Sequence, residues 1–318
     1  MTIQKLKNIG ALSNLRSRLV AEMFQPGKKS IKVCCGLPCS TLGSHKVASA
    51  LEQESERSGI QVDVVKTGCQ GLCQRGPIMQ VEPQGYYYQR VRPEKAREII
   101  SITYGAGLPA NEFVHRDSFL DQPKPLLKDV PFYKKQMKIA LRNTGTIDPF
   151  NVLHAIAAGG YRAAEKMFMT MTPDQVLEEM KRSNLRGRGG AGFPAGIKWA
   201  HTKKAPGAVK MVIAHGDEGD PGAFMDRSIM EGDPHSLIEG MLICAYAINA
   251  RLGFIYVRHE YPLAIETLKT AIRQAEEIGL LGSDILGTGF DFTMHIREGA
   301  GAFVCGEATS LVASIEGQ

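Results

Sequence analysis

The sequence predicts an α/β chain built from two modules of different character. Three observations carry this. Strand-like and helix-like apolar periods alternate along most of the chain. Charge is unevenly divided: residues 1–110 hold 15 Lys and Arg against 8 Asp and Glu, and the remainder holds 23 against 25. Five of the seven cysteines lie between Cys34 and Cys73, whereas the glycine-rich and acidic runs lie beyond residue 184. A length of 318 residues suits about two domains and a core that needs no disulfides.

Composition excludes several classes. With 43% hydrophobic and 22% charged residues the chain is not of the disordered type. No window approaches the roughly 18 apolar residues of a membrane helix; the best, 241–250, is far shorter. An odd cysteine count without a secretory signal peptide argues against a disulfide framework and for a cytoplasmic setting. A net charge of +5 gives no ground for a nucleic-acid partner.

The elements follow in order. Leu6, Ile9, Leu12, Leu15 and Leu19 recur near helical spacing, so residues 1–29 form a helical extension. A docking helix and an organellar transit peptide are both open. Residues 31–35 read as a strand, 45–57 as a helix and 60–65 as a strand. Residues 78–81 and 86–91 form a hairpin across 82–85, and Pro93 opens a helix to about 102. That βαβ, ββ, α order is thioredoxin-like, over residues 30–104. Residues 105–135 are rich in Pro and Gly and aperiodic, which predicts a linker. Helices follow at 148–158, 161–169 and 173–183, the last capped by Thr172 with Pro173 at its first position. From there strands at 209–215, 254–258 and 290–297 alternate with helices at 235–250, 261–278 and 304–315. The second module therefore covers residues 136–318.

Cys34-x4-Cys39 is followed, after 29 residues, by Cys69-x3-Cys73. Four thiolates on two loops suit zinc or an iron–sulfur cluster, and spacing alone leaves that open. Gly68, Gly71 and Gly76 would let backbone N–H groups approach the sulfurs. The stretch VCCGLPCS…TGCQGLCQRGP resembles the thioredoxin-like 2Fe–2S ferredoxins, including the small cluster-carrying subunit of respiratory complex I. The resemblance implies a 2Fe–2S cluster on Cys34, Cys39, Cys69 and Cys73. Its pattern separates the first two ligands by four residues, which selects Cys34 over Cys35.

Residues 184–196 read NLRGRGGAGFPAG. Gly187, Gly189 and Gly192 satisfy G-x-G-x-x-G, but a helix rather than a strand precedes them, so the dinucleotide fingerprint is out of context. With Arg186, Arg188, Gly190 and Lys198, the loop can still bring backbone and cations to a phosphate. The strand at 209–215 runs into Asp217, Glu218 and Asp220. Carboxylates there can bind magnesium, work as acid and base, or accept from sugar hydroxyls. No second metal motif accompanies them, which favours ribose and flavin contacts.

GRGGAGFPAGIKW, HGDEGDPGAFMDR, EGDPHSLIEG, YVRHEYPLA and GAGAFVCGEATSLVASIEG resemble the FMN- and NADH-binding flavoprotein subunit of complex I. They more nearly resemble its soluble relatives, the diaphorase subunits of NAD-linked and electron-bifurcating iron hydrogenases and formate dehydrogenases. The resemblance spans about residues 130–318 and implies a Rossmann-like α/β domain. The fusion to a 2Fe–2S module is similar to the hydrogenase β-subunit arrangement.

The resemblance also implies roles. Gly187, Gly189 and Lys198, with Arg188 and Gly190, would hold the FMN phosphate and ribityl chain. Asp217 and Glu218 would contact the flavin, Phe193 would stack on adenine, and Asp220 would bind a ribose hydroxyl. Tyr256 and Glu260 would line the flavin pocket, with Thr309 and Ser310 as its far wall. His215 and His259 stand where the family often has Asn and Gly or Ala; they would act as neutral hydrogen-bond partners or crowd the ring. Ala308, Ser310 and Tyr261 also depart from the usual pattern. With Asp220 as the retained acidic group, looser discrimination against NADPH is expected. No general acid or base is required, since hydride passes directly from nicotinamide to flavin.

The expected function is that of an NAD(P)H-oxidising or NAD(P)+-reducing flavoprotein subunit in a hydrogenase- or formate-dehydrogenase-type complex. Bifurcation at the flavin is left open. The implied partners are the catalytic iron–sulfur subunit, a small 2Fe–2S subunit and ferredoxin. A complex I-like quinone reductase module and an inactive assembly module are the alternatives. Relatives continue past the position of Gln318 into a region carrying a 4Fe–4S cluster, whose ligands this chain lacks, so truncation relative to the family is expected.

Overall fold

Residues 4–117, 121–188, 190–220 and 222–317 are described by the computed structural model of this chain. They divide into two units, residues 19–158 with 231–233, and residues 1–18 with 159–230 and 234–318. Helix α1 (Ile9–Met23) follows the apolar spacing and buries Leu12, Leu15 and Leu19. No helix among the described residues is long and apolar enough to cross a membrane.

In the unit of residues 19–158, β1 (Ser30–Cys34) precedes α2 (Leu37–Thr41) and α3 (Ser44–Ser58). Helix α3 crosses to β2 (Asp63–Thr67), which pairs parallel with β1. Strand β3 (Met79–Glu82) runs antiparallel on β1's other side, and β4 (Tyr86–Tyr88) closes the order β2-β1-β3-β4. Ile31, Val33 and Cys35 share one face of the chain and pack with Val47, Ala48 and Leu51 of α3. Cys34 points to the opposite face, into a smaller core with Cys39, Ile78, Tyr87 and Val130.

Some boundaries shift for local reasons. Residues 60–62 stay outside β2 because Ser55 Oγ donates to the Ile60 carbonyl and accepts from Val62 N–H. The helix expected from Pro93 is a 3₁₀ turn followed by α4 (Ala96–Ile100) and a π turn over Ser101–Gly105. Residues 105–135, expected as a linker that wraps a surface, carry short elements of their own. They form a two-residue ladder of β5 (His115–Arg116) and β6 (Pro123–Lys124), and the short α5 (Pro131–Lys134). Their carbonyls at Phe113 and Pro125 accept from Gln89 and Tyr87 N–H, so the segment continues the β4 edge. Helix α6 (Val152–Ala157) starts later than expected, because Asn151 caps it by accepting from Leu153 N–H at 3.0 Å.

In the other unit, α7 (Arg162–Thr170) is held at its start by Glu239, whose carboxylate accepts from Tyr161, Ala163 and Ala164 N–H at 2.7–3.0 Å. Helix α8 (Pro173–Ser183) begins with the expected Thr172 cap, completed by Gln175 into a capping box. Helix α9 (Ala195–Lys204) lies on α8 so closely that a Cβ at Gly196 would stand 2.6 Å from Lys181 N. Strands β7 (Met211–Gly216), β8 (Leu252–Arg258) and β9 (Thr293–Gly299) form a parallel sheet in that order. Helix α10 (Met225–Gly232) follows β7, then the strongly apolar α11 (Pro234–Ile248), and α12 (Pro262–Glu277) joins β8 to β9. Strand β9 starts after residue 292, because Phe292 exchanges backbone hydrogen bonds with Gly282 instead. Helix α13 (Ala308–Glu316) ends the described chain. Parallel strands put their C-terminal ends along one edge, where ligands bind in open α/β sheets. His215, Tyr256 and Arg297 stand abreast there.

Candidate functional site

Two constellations carry chemistry. The first is the cysteine set. Cys34 ends β1, Cys39 lies in α2, and Cys69 and Cys73 sit on the turn after β2. The Cys34 thiol is within hydrogen-bonding reach of both Cys39 and Cys69, and Cys69 Sγ lies 3.5 Å from Cys73 Sγ. The four sulfurs thus follow one another as Cys39, Cys34, Cys69 and Cys73. Among the described residues no group of three or more His, Cys, Asp or Glu surrounds the position of a single metal ion. The two ligand loops touch: a Cβ at Gly36 would stand 2.7 Å from Cys69 Cβ. Gly71 N–H donates to Cys69 Sγ at 3.4 Å, the backbone donation to sulfur expected of the glycines.

Crowding drives these thiols apart: the hydrogen bond with Cys34 draws Cys39 down, and the other three are pushed up. The Cys34 thiol is pushed up to about 12, first by its hydrogen bond with Cys39, and Cys69 is pushed up by its bond with Cys34 and by burial. Burial, then the charge of Cys69, takes Cys73 up to about 11. Thiols this crowded ionise together only beneath a metal's positive charge. Four sulfurs, two of them buried and two half-buried, with backbone donors, fit a cluster. Cys35 faces away, toward Ser44 Oγ at 3.6 Å and the α3 core.

The second constellation lies at the C-terminal ends of β7 and β8. Asp217 is buried, and its Oδ1 accepts from Arg258 Nη1 at 2.9 Å. Its Oδ2 is buried with no hydrogen-bond partner. Arg258 Nη2 donates to Glu260 Oε1 at 2.9 Å. The Glu260 carboxyl is held below its ordinary range by its own backbone N–H and by Arg258. His259 Nδ1 lies 3.2 Å from the other oxygen of Glu260. His215 Nε2 lies 3.1 Å from the Cys305 carbonyl, and Asp217 N–H donates to its Nδ1 at 3.4 Å. Those two contacts leave Nε2 as the ring's donor and Nδ1 as its acceptor. Tyr256 is buried and shares a 2.9 Å hydrogen bond with Ser314 Oγ.

Other sequence-derived residues stand differently. Glu218 turns both carboxylate oxygens onto the start of α10, accepting from Met225, Asp226 and Arg227 N–H at 2.7–3.1 Å. Asp220 is exposed. Thr309 and Ser310 open α13, and both their N–H groups donate to Glu307. In the glycine loop, Gly187 N–H donates to Phe193 O at 2.9 Å and Arg188 Nη1 to Arg186 O at 2.8 Å, both contacts internal to the loop. Gly190, Phe193 and Lys198 are exposed. Gly189 lies outside the described residues. Trp199 packs with Met167, Val176, Leu177 and Ala247.

Comparison with known proteins decides between the open readings. Residues 180–318 match the family model described as the Nuo51 FMN-binding domain, and residues 22–103 that of the thioredoxin-like [2Fe-2S] ferredoxin. The chain joins a ferredoxin domain to an FMN-binding domain. Within it, 185 residues are 54% identical to the NADP-reducing hydrogenase subunit HndC of Solidesulfovibrio fructosivorans, covering 58% of this chain and 37% of that protein. A stretch of 180 residues is 50% identical to an NADH-quinone oxidoreductase subunit of Rhizobium meliloti, covering 57% of this chain and 43% of that protein. The chain thus spans less than half the length of these relatives. A crystal structure of NAD+-reducing [NiFe]-hydrogenase aligns over 98% of this chain and 52% of that one, at 24% identity and a TM-score of 0.45.

Sequence reading missed one member of this second constellation. Arg258 ties Asp217 to Glu260 and reaches the Gly301 carbonyl at 3.4 Å. Its signal was available: an arginine closing a strand, beside a carboxylate run that closes the neighbouring strand. In the ferredoxin domain the side chains around the sulfurs, Tyr87 and Tyr133, were missed as well.

Proposed function

We infer that the chain is the nicotinamide-linked flavin module of a larger redox enzyme, of the NAD(P)-dependent hydrogenase type. The observation that carries this is Asp217. A buried carboxylate is oriented by Arg258 while its second oxygen is left without a partner, at the strand ends where such folds take their ligands. A buried acceptor without a partner is costly unless a ligand donates to it. FMN polyol hydroxyls suit that donor role, so Asp217 would hold FMN. Gly187, Arg188, Gly189, Gly190 and Lys198 would receive its phosphate. Phe193 and Asp220 would receive the adenosine half of the nucleotide. His215, Tyr256, His259, Glu260, Thr309 and Ser310 would line the remaining wall.

Cys34, Cys39, Cys69 and Cys73 would hold the 2Fe–2S cluster. When bound, the flavin exchanges hydride with nicotinamide and single electrons with iron–sulfur centres, which the cluster carries onward. The protein's own part is to orient both rings and exclude water. Glu218 serves that part indirectly, by fixing the loop between Asp217 and α10.

Hydrogenase-type partner subunits are favoured over a quinone reductase by the higher identity to the hydrogenase subunit. Both directions of electron flow fit this geometry. The test is the visible spectrum of purified chain reconstituted with FMN, iron and sulfide, before and after anaerobic NADH. Flavin bleaching and cluster reduction are expected. A chain that binds FMN but is not bleached by either nicotinamide would leave an assembly module as the better reading.

A further inference from the structure

One cation of the ferredoxin unit, Lys138, is not explained by an ion pair among the described residues. It is partly buried. An ammonium withdrawn from water needs an anion nearby. The groups whose ionised form would act on it are the thiols of Cys69 and Cys34.

Its position is set by aromatic packing. Lys138 Nζ lies 5.5 Å from the centroid of the Tyr133 ring, within cation–π range. Tyr133 meets Tyr87 edge-on at 5.5 Å and Phe132 edge-on at 5.0 Å. Tyr87 and Val130 share a core with Cys34 and Cys39, with Tyr133 packed against it. Phe132 lies over Gly71 of the second ligand loop, where an added Cβ would stand 3.3 Å from the ring. Residues 130–138 therefore form an aromatic strap against the cysteine loops, with one cation at its end. Lys134 and Lys135 of the same segment are exposed.

We propose that Lys138 is the counter-cation of the 2Fe–2S cluster and sets its reduction potential. The inference rests on the cluster reading above. An oxidised cluster of two ferric ions, two sulfides and four thiolates carries two negative charges, and one added electron makes three. A fixed cation favours the more negative state, and cluster potentials respond to such local charge. Desolvation, which pulls the Lys138 ammonium below its ordinary range, is offset as the cluster gains charge. Lys138 is thus a positioning residue that acts by its field and makes no bond to the iron.

The experiment is a redox titration of the full chain, followed by electron paramagnetic resonance of the reduced cluster. It compares wild type with Lys138→Gln, Lys138→Glu and Lys138→Arg, and uses Lys135→Gln as the exposed control. Iron and sulfide are counted in every sample. Lys138→Gln is expected to shift the reduction equilibrium about tenfold toward the oxidised state, about 59 mV for a one-electron couple. Lys138→Glu should shift it further, while Lys138→Arg and Lys135→Gln should stay close to wild type. Equal shifts at positions 135 and 138, or none at 138, would overturn the inference while leaving the cluster in place. Wild-type protein without stoichiometric iron and sulfide would instead sink the cluster reading itself. Should Lys138→Glu lose its cluster, Tyr133→Leu removes the cation's platform without changing charge. A downward shift is expected there too, and its absence counts against the proposal.

Discussion

The two sites handle charge in opposite ways. In the ferredoxin unit four thiols crowd together, and their full negative charge appears only when metal arrives. In the FMN-binding unit the charges are present beforehand, with Arg258 held between Asp217 and Glu260. The first site is organised by turns and glycine contacts, which place sulfur atoms whatever their protonation. The second is organised by ion pairs, which place oxygens because they are charged. Removing a residue should therefore abolish the first site outright but weaken the second by degrees.

The largest expected effect separates Cys34 from its neighbour. Cys34→Ser should abolish stoichiometric iron and sulfide. Cys35→Ser should keep the cluster and lose only stability, roughly 1–3 kcal/mol for a hydroxyl put into an apolar core. Iron analysis with chemical denaturation reads both, and cluster loss in Cys35→Ser alone would reassign the ligand.

Arg258→Met comes next. It strands the buried Asp217 carboxylate, a loss of roughly 1–3 kcal/mol for a charged hydrogen bond. FMN should then dissociate about tenfold to a hundredfold more readily. Adding Asp217→Asn should recover stability but not FMN affinity. Fluorescence titration with FMN and urea melts of the same samples check this; unchanged FMN affinity in Arg258→Met would remove the arginine from the site.

What these variants probe was unevenly legible in the sequence. The choice of Cys34 came from the resemblance to the ferredoxin pattern, and strand alternation agrees with it, because Cys35 shares the parity of Ile31 and Val33. Period and cap chemistry likewise announced α3, α8 and the parallel sheet. Helices α9 and α10 were not legible. The first buries little beyond Gly196 and Ala200 and leans on α8, and the second is started by Glu218, seven residues before its first turn. Residues 105–135 have no period because they follow an irregular edge, where pairing partners are set by Tyr87 and Gln89. The Arg258 network escaped for a similar reason: its members are brought together by strand register rather than by sequence spacing.

Acid should weaken the FMN-binding unit. His235 in α11 is fully buried, shares a 2.7 Å hydrogen bond with Tyr161 OH, and is pulled down by burial to about 3. The unfolded chain takes up this proton near 6.5, so between pH 6.5 and about 3 it binds more protons than the folded one. Stability is therefore present above pH 6.5 and falls as pH drops, approaching about 1.4 kcal/mol per unit from this group. In the ferredoxin unit His115 and His154 are likewise pulled down by burial and add a dependence of the same sign. Calorimetry from pH 7 to 5 should lower the melting of the FMN-binding unit, and His235→Gln should flatten that dependence. An equal slope in the variant would show that other groups carry it.

The smallest effect concerns which nicotinamide enters. A carboxylate beside the adenosine ribose accepts from a 2′-hydroxyl and repels a 2′-phosphate. Asp220 is exposed and free to play that part, but Glu260 is tied to Arg258 and His259, and Tyr261 turns its hydroxyl to the Glu218 carbonyl at 3.3 Å. One carboxylate in water discriminates weakly, because solvent screens it. The ratio of kcat/KM for NADH over NADPH should stay within about tenfold, near 1.4 kcal/mol. Asp220→Ser should bring it toward unity, and raising salt in wild type should do the same. A hundredfold preference for NADH that survives Asp220→Ser would show that shape, and not this charge, chooses the nucleotide. The FMN-binding site would then differ from the cluster site less in kind than the ion pairs suggest.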